Sequence, residues 1–224
     1  MTLWGRFNDA GSVGFGTMDG DTITIHQGDM FAGAQATGET VALSDVKLLA
    51  PCEPTKMLAL WNNFHALAAK LDVAEPNEPL YLLKANNSFL GPDELIQRPK
   101  SYDGKVVYEG ELGIVIGKQC KNVSEADAEG FIFGYTCIND VTAAGITMKD
   151  PTFQQWTRAK SFDTFGVFGP VVATGIDPAT LSIRTVYKDE ERQNYPVSDL
   201  FMQPARIVSL VSRDMTLHPG DVIC

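Results

Sequence analysis

The stretch Tyr108-Glu109-Gly110-Glu111-Leu112-Gly113-Ile114-Val115-Ile116-Gly117 sets two carboxylates at i and i+2 ahead of an apolar, β-branched run. Alternate side chains of a strand share a face, so Glu109 and Glu111 point the same way and lie close together. Like charges at that range raise each other's pKa. Such a pair persists where its face is solvated or where a cation sits between the two. Most carboxylates are exposed, which taken alone favours a solvated edge. The rest of the chain shifts the balance towards a cation. Asn139-Asp140 closes the next apolar stretch, Phe131 to Ile138, and Lys160-Ser161-Phe162-Asp163-Thr164-Phe165 and Gly169-Pro170 follow.

Composition narrows the classes. The chain has 224 residues, 44% hydrophobic and 21% charged, enough for one sizeable core or a small domain beside a larger one. A formal charge of -10 argues against nucleic acid, whose phosphates need a basic face. It also means that an anionic substrate must be drawn in by local cations and a metal. No apolar run approaches the roughly 20 residues that span a bilayer, so no membrane partner is expected. Met1 to Asp9 lacks the basic and apolar regions of a signal peptide. Cys52, Cys120, Cys137 and Cys224 are far apart and form no Cys-x-x-Cys pair, so zinc and a disulfide framework lack support. Reduced thiols in the cytoplasm are the simplest reading.

Residues 1–50 read as a small β domain of short strands and tight turns, with Gly11 to Gly16, Asp19-Gly20-Asp21 and Thr22 to Ile25 as its signals. Pro51 and Pro54 break the chain there, and residues 51–224 form the larger unit. Thr55 to Leu60 reads as a buried strand, Phe64 to Leu71 as a helix, and Leu80 to Leu83 as a strand ending at Lys84. Ser124 is a helix N-cap with an acidic first turn behind it. Asp150-Pro151 opens a polar segment, Thr152 to Arg158, that reads as mobile. Val167 to Thr174 is strand-like, Leu181 to Val186 and Arg192 to Pro196 form a hairpin, and Pro204 to Ser212 has helical spacing. Strand-rich with a few helices, the chain is α+β.

The order Glu-x-Glu, Asn-Asp about thirty residues on, Lys-Ser-Phe-Asp and Gly-Pro resembles the fumarylacetoacetate hydrolase family, as does Leu217-His218-Pro219-Gly220-Asp221-Val222-Ile223. The resemblance runs from about Leu58 to Cys224. It implies a mixed β-sandwich roll behind the small N-terminal domain, a homodimer, and a metal-dependent enzyme of 2-oxo and 2-hydroxy acids. By the family pattern Glu109, Glu111 and Asp140 look like metal ligands and Lys160 like the active-site lysine. Lys84 matches the lysine of a Leu-Lys segment and is a candidate substrate contact. The family pattern continues past Pro-Gly-Asp-Val-Ile with a Gly-Thr-containing loop and further strands. This chain stops at Cys224, either through truncation or because this member lacks them.

Three carboxylates without His or thiolate make a hard oxygen site, suited to Mg²⁺, or to Mn²⁺ or Ca²⁺, rather than zinc. Such a cation can receive the carboxylate and 2-oxo oxygen of a small anionic 2-oxo acid and stabilise the enolate formed at C3. Hydrolysis of a C–C bond, isomerisation and decarboxylation all share that enolate. Lys160 is read as steering the substrate carboxylate or holding Glu109 or Asp140, and Asp163 as orienting Lys160 or a helix end. Many family members carry Asn-Tyr, then His three residues later and Glu three further on, to activate water. Here Asn63-Phe64 fits, but Leu67 and Lys70 occupy the His and Glu positions. His65 lies two residues early, about 200° around a helix, and is a candidate base without that Glu partner. After Asp140 the family's Arg and Gln are absent, and Arg158 or Gln154 are candidate replacements. A C–C hydrolase needs His65 as general base, whereas an isomerase of 2-hydroxy-dienoates needs no nucleophilic water. A non-catalytic acid-binding protein on the same fold is the third reading.

Overall fold

Period-2 alternation with β-branched residues makes strands the chief regular element of this chain. In a computed structural model describing residues 1–224, ten strands run side by side in one 12-stranded sheet. Their order is Gln35–Ala42, Thr22–Gln27, Ser12–Asp19, Thr2–Asp9, Gly166–Thr174, Ile132–Asp140, Gly110–Ile116, Val222–Ile223, Met57–Trp61 and Leu80–Lys84. The first 50 residues contribute the strands at one end, joined to the rest where Thr2–Asp9 pairs with Gly166–Thr174. The hairpin Ser182–Tyr187 and Glu190–Pro196 stands apart as its own two-stranded sheet. The fold is α+β, mostly sheet with few helices. No helix is long and apolar enough to cross a membrane.

Both faces of the central strands are covered, which is why these strands read as continuous apolar runs. On one face Leu58, Ile114, Ile116 and Ile223 meet Ile207, Val208 and Val211 of the helix Pro204–Asp214. Pro204 starts that helix at the position where its missing N–H costs least, and its apolar stripe faces the sheet. On the other face Met57, Val115, Ile138, Phe168, Val172 and Val222 form a second core.

Register decides what else lies on that second face. Glu111 pairs with Ile138, Val115 with Val222, Val222 with Met57, Met57 with Lys84, and Trp61 with Leu80. Paired residues share a face and so do residues two apart. Glu109, Glu111, Lys84, Leu82, Leu80 and Trp61 therefore all project to the side of the Val115–Met57 core. The short helix Trp156–Lys160 packs against the Leu80–Lys84 strand.

The Leu-His-Pro-Gly-Asp motif owes its form to Asp221, whose side chain is wholly buried. Its Oδ1 accepts from the Thr55 and Lys56 backbone N–H groups and from Thr55 Oγ1. Its Oδ2 accepts from His218 N–H and pairs with Lys56 Nζ at 2.5 Å. Gly220 precedes it at φ +85°, in the left-handed region. This one carboxylate ties the strand Val222–Ile223 to the start of Met57–Trp61. Asp221→Ala should cost about 2–4 kcal/mol, since it strands buried donors and one ammonium. Chemical denaturation of the two proteins measures the difference.

Candidate metal and active site

Two neighbouring strands build the acidic cluster. Glu109 and Glu111 flank the start of Gly110–Ile116, and Asp140 ends Ile132–Asp140. The Asp140 N–H donates to the Glu109 carbonyl at 2.8 Å, which places the two residues opposite each other. One carboxylate oxygen from each of Glu109, Glu111 and Asp140 lies within 4.8 Å of the others. Asp140 is 1% exposed, whereas the Glu109 side chain is 46% exposed, so the cluster is deep at Asp140 and open at Glu109.

Two lysines answer the three carboxylates. Lys84 Nζ donates to Asp140 Oδ1 at 2.5 Å, and the lysine is 1% exposed. Lys160 Nζ bonds Asp140 Oδ2 and Glu109 Oε2, the latter at 2.8 Å. Asp140 is thus gripped on both oxygens by buried ammoniums. Burial alone would lower the Lys160 pKa, but the Asp140, Glu109 and Glu111 carboxylates outweigh it and hold the ammonium charged. With all three ionised, the carboxylates outnumber the two ammoniums by one charge, at a site buried at Asp140 and open at Glu109.

That surplus falls on Glu111. Burial first, then the Asp140 charge, push its pKa from 4.5 up to about 8, against the lowering pull of Lys160. Its Oε2 is buried with no hydrogen-bond partner. An orphaned, buried carboxylate oxygen facing two further carboxylates is what a hard divalent cation would satisfy. The donor set fits: all oxygen, no thiolate or imidazole, and Glu109 left open on its outer side. Glu109, Glu111 and Asp140 are the residues that would hold such an ion.

Other side chains hold these in place, and the sequence did not point to them. Gln193 reaches from the hairpin so that its Oε1 accepts from the Gly110 N–H at 2.7 Å and from Thr185 Oγ1 at 2.7 Å. Gly110 lies between the two glutamates. A Cβ there would come within 2.1 Å of Thr185 Oγ1, so only glycine lets the hairpin close on this backbone. Thr142 Oγ1 stands 3.4 Å from Glu109 Oε2.

The remaining candidates divide. His65 begins the helix His65–Leu71 and, unlike the expectation of a base without a carboxylate, its Nδ1 pairs with Glu75 Oε1. The partner lies ten residues on, past a left-handed Asp72, rather than one helical turn away. Both side chains are half exposed. The helix is anchored from the 197–203 segment: Asp199 Oδ2 accepts from Ala66 N–H, and Asn63 exchanges two hydrogen bonds with the Met202 backbone. Lys84, the candidate substrate contact, is buried and commits its ammonium to Asp140 Oδ1. Arg158 is exposed and donates to Gln155 Oε1, and Gln154 Oε1 accepts from Trp156 Nε1. Neither makes a bond to the carboxylate cluster. Asp163 accepts from Asn87 Nδ2, not from Lys160. The segment expected to be polar and mobile ends in the helix that carries Lys160.

Three sheet-borne carboxylates held by two buried lysines on an α+β scaffold form a cluster that could hold a hard divalent cation. Residues 56–224 match the family model described as fumarylacetoacetate (FAA) hydrolase C-terminal, and the chain belongs to that family. Residues 3–51 match the Rv2993c-like N-terminal model. A 5-carboxymethyl-2-hydroxymuconate delta-isomerase from Mycobacterium smegmatis is 40% identical, with TM-score 0.89 over 100% of this chain and 86% of that one. A maleylpyruvate hydrolase from Sphingobium sp. SYK-6, solved with manganese(II) and pyruvate, is 26% identical, with TM-score 0.78 over 100% of this chain and 87% of that one. The oxaloacetate tautomerase YisK of Bacillus subtilis is 29% identical over 92% of this chain and 71% of its own length.

Two outcomes are expected. Because the Glu111 pKa is raised on folding, the metal-free folded state keeps a proton that the unfolded chain releases above about pH 4.5. The stability this contributes is fully present below that pH and is lost as pH rises through about 8. Glu111→Gln should remove this loss, seen as a flatter Tm against pH in chelator. Gln193→Ala should weaken Mn²⁺ binding about 10-fold or more by calorimetry, the scale of lost outer partners of metal ligands.

Proposed function

We propose that this protein is a divalent-metal-dependent enzyme that moves a proton at C3 of a 2-oxo or 2-hydroxy-dienoic acid, an isomerase or tautomerase. The observation that carries this is the convergence of Glu109, Glu111 and Asp140 within 4.8 Å, with a buried oxygen of Glu111 left unpartnered. When bound, a divalent cation supplies the Lewis acid that stabilises enolate charge on the substrate. It also adds two positive charges to the site, which offsets the acidity of the chain for an anionic substrate.

The protein's own groups then have defined tasks. Lys84 holds Asp140 from behind and fixes where its carboxylate points. Lys160 bridges Asp140 and Glu109 and is the cation nearest the open side, placed to meet a substrate carboxylate. His65, with Nδ1 on Glu75, keeps Nε2 free to take or return a proton. The names of the muconate isomerase and of the oxaloacetate tautomerase agree with proton transfer. The maleylpyruvate hydrolase agrees with a metal and a 2-oxo acid at such a site.

A second reading, C–C hydrolysis, is favoured by one observation: the His65–Glu75 pair is the kind of dyad that activates water. The two are told apart by product. Deuterium exchange at C3 of pyruvate or oxaloacetate, without cleavage of acylpyruvates, supports the isomerase; cleavage supports the hydrolase. Exchange should require Mg²⁺ or Mn²⁺ and vanish in Glu111→Gln. Lys160→Met should lower kcat roughly 10²-fold or more through lost charge stabilisation. His65→Ala should lower it by roughly 10²-fold and leave metal affinity unaltered. No exchange and no cleavage with any 2-oxo acid would overturn the assignment.

A further inference from the structure

The face of the sheet that carries the carboxylates continues into an apolar pocket. Along the edge strand, Lys84, Leu82 and Leu80 alternate onto one side, and Trp61 pairs with Leu80 at the far end. The helix Trp156–Lys160 packs on this strand, and its first and last residues are spaced i, i+4 on one helical face. Lys160 faces Asp140, while Trp156 lies one turn back, about 6 Å along the axis. There the Trp156 ring approaches Trp61, centroids 6.1 Å apart. Around them Leu80, Tyr81, Leu82 and Met148 line an open cleft of about 580 Å³, within the size range of small-molecule sites.

The chemistry of this cavity is one-sided. None of its lining residues is charged. Two of its polar groups are occupied: Trp156 Nε1 donates to Gln154 Oε1 at 2.8 Å, and the Tyr81 hydroxyl donates to Asp214 at 3.0 Å. What remains for a ligand is mainly hydrocarbon and indole surface, with the neutral N–H groups of Trp61 and Gln154. A second carboxylate placed there would find no cation and would exchange part of its water for apolar walls.

We propose that this pocket is the subsite for the tail of the substrate, and that the tail is uncharged, alkyl or aryl, rather than ending in a second carboxylate. The carboxylate–lysine cluster takes the 2-oxo acid end, and the Trp61–Trp156 pocket takes the chain beyond C3. The inference rests on the enolising 2-oxo acid reading above and adds the class of its substrate.

The test compares two acids of equal length, 2-oxohexanoate and 2-oxoadipate, with pyruvate as the tailless reference, by deuterium exchange at C3 in the Mg²⁺-loaded protein. The expected kcat/KM for 2-oxohexanoate exceeds that for 2-oxoadipate by about 10-fold, as expected when a carboxylate is partly desolvated against apolar walls without a cation. Trp156→Ala and Trp61→Ala should each shrink that ratio several-fold. Trp156→Leu, which keeps an apolar wall, should retain more of it than Trp156→Ala. Equal rates for the two acids, a preference for 2-oxoadipate, or a ratio untouched by both alanine variants would overturn the inference. If pyruvate itself does not exchange, the functional reading fails. The pocket is then judged by tryptophan emission in a Trp4→Phe background, where only Trp61 and Trp156 report. A saturable shift with 2-oxohexanoate and not with 2-oxoadipate upholds it; no shift with either overturns it.

Discussion

Asp140 is the residue on which the site turns. Its carboxylate is out of water and held by an ammonium on each oxygen, Lys84 from the sheet and Lys160 from the overlying helix. A buried charge survives only when paired. Here the pairing also joins elements far apart in the chain: the edge strand, the central strand and the Trp156–Lys160 helix. Removing either lysine would strand charge in the interior. Removing Asp140 would leave two ammoniums facing each other. The arrangement fixes where Glu109 and Glu111 must meet it, so the geometry of the acidic cluster follows from the packing of the core beneath.

The surplus carboxylate is the chemical consequence. Two lysines do not neutralise three acids, and the unmatched oxygen is Glu111 Oε2, which no hydrogen bond reaches. A proton can balance it, as the raised pKa indicates, and a divalent cation can balance it better. Around it the hairpin presses Gln193 and Thr185 onto the Gly110 backbone, so the two glutamates are set by a hydrogen bond to the peptide between them.

Much of this was legible in the chain because it depends on period. Glu109 and Glu111 share a face for the same reason that Val115 and Gly113 do, and Asp140 closes an apolar run that could only be the neighbouring strand. The hairpin, the Pro204–Asp214 helix and the α+β class follow from turn residues and spacing. What escaped is tertiary. Lys84 is marked in the sequence as a candidate substrate contact at a strand end, where a charge ordinarily means exposure; its burial exists only because Asp140 stands opposite. Glu75 finds His65 across a left-handed turn that no helical spacing anticipates. Gln193 and Trp156 gain meaning only from what they face once folded. Arg158 and Gln154 were proposed to fill the family's Arg and Gln positions, but their bonds are to near neighbours in sequence.

The most direct measurement is anomalous diffraction from crystals grown with Mn²⁺. The carboxylate assignment predicts a single strong peak with oxygens of Glu109, Glu111 and Asp140 each about 2.0–2.6 Å away, and Lys160 drawn off Glu109 to its outer side. A structure at saturating Mn²⁺ with no peak there, or with a peak that any one of the three carboxylates does not reach, would contradict it.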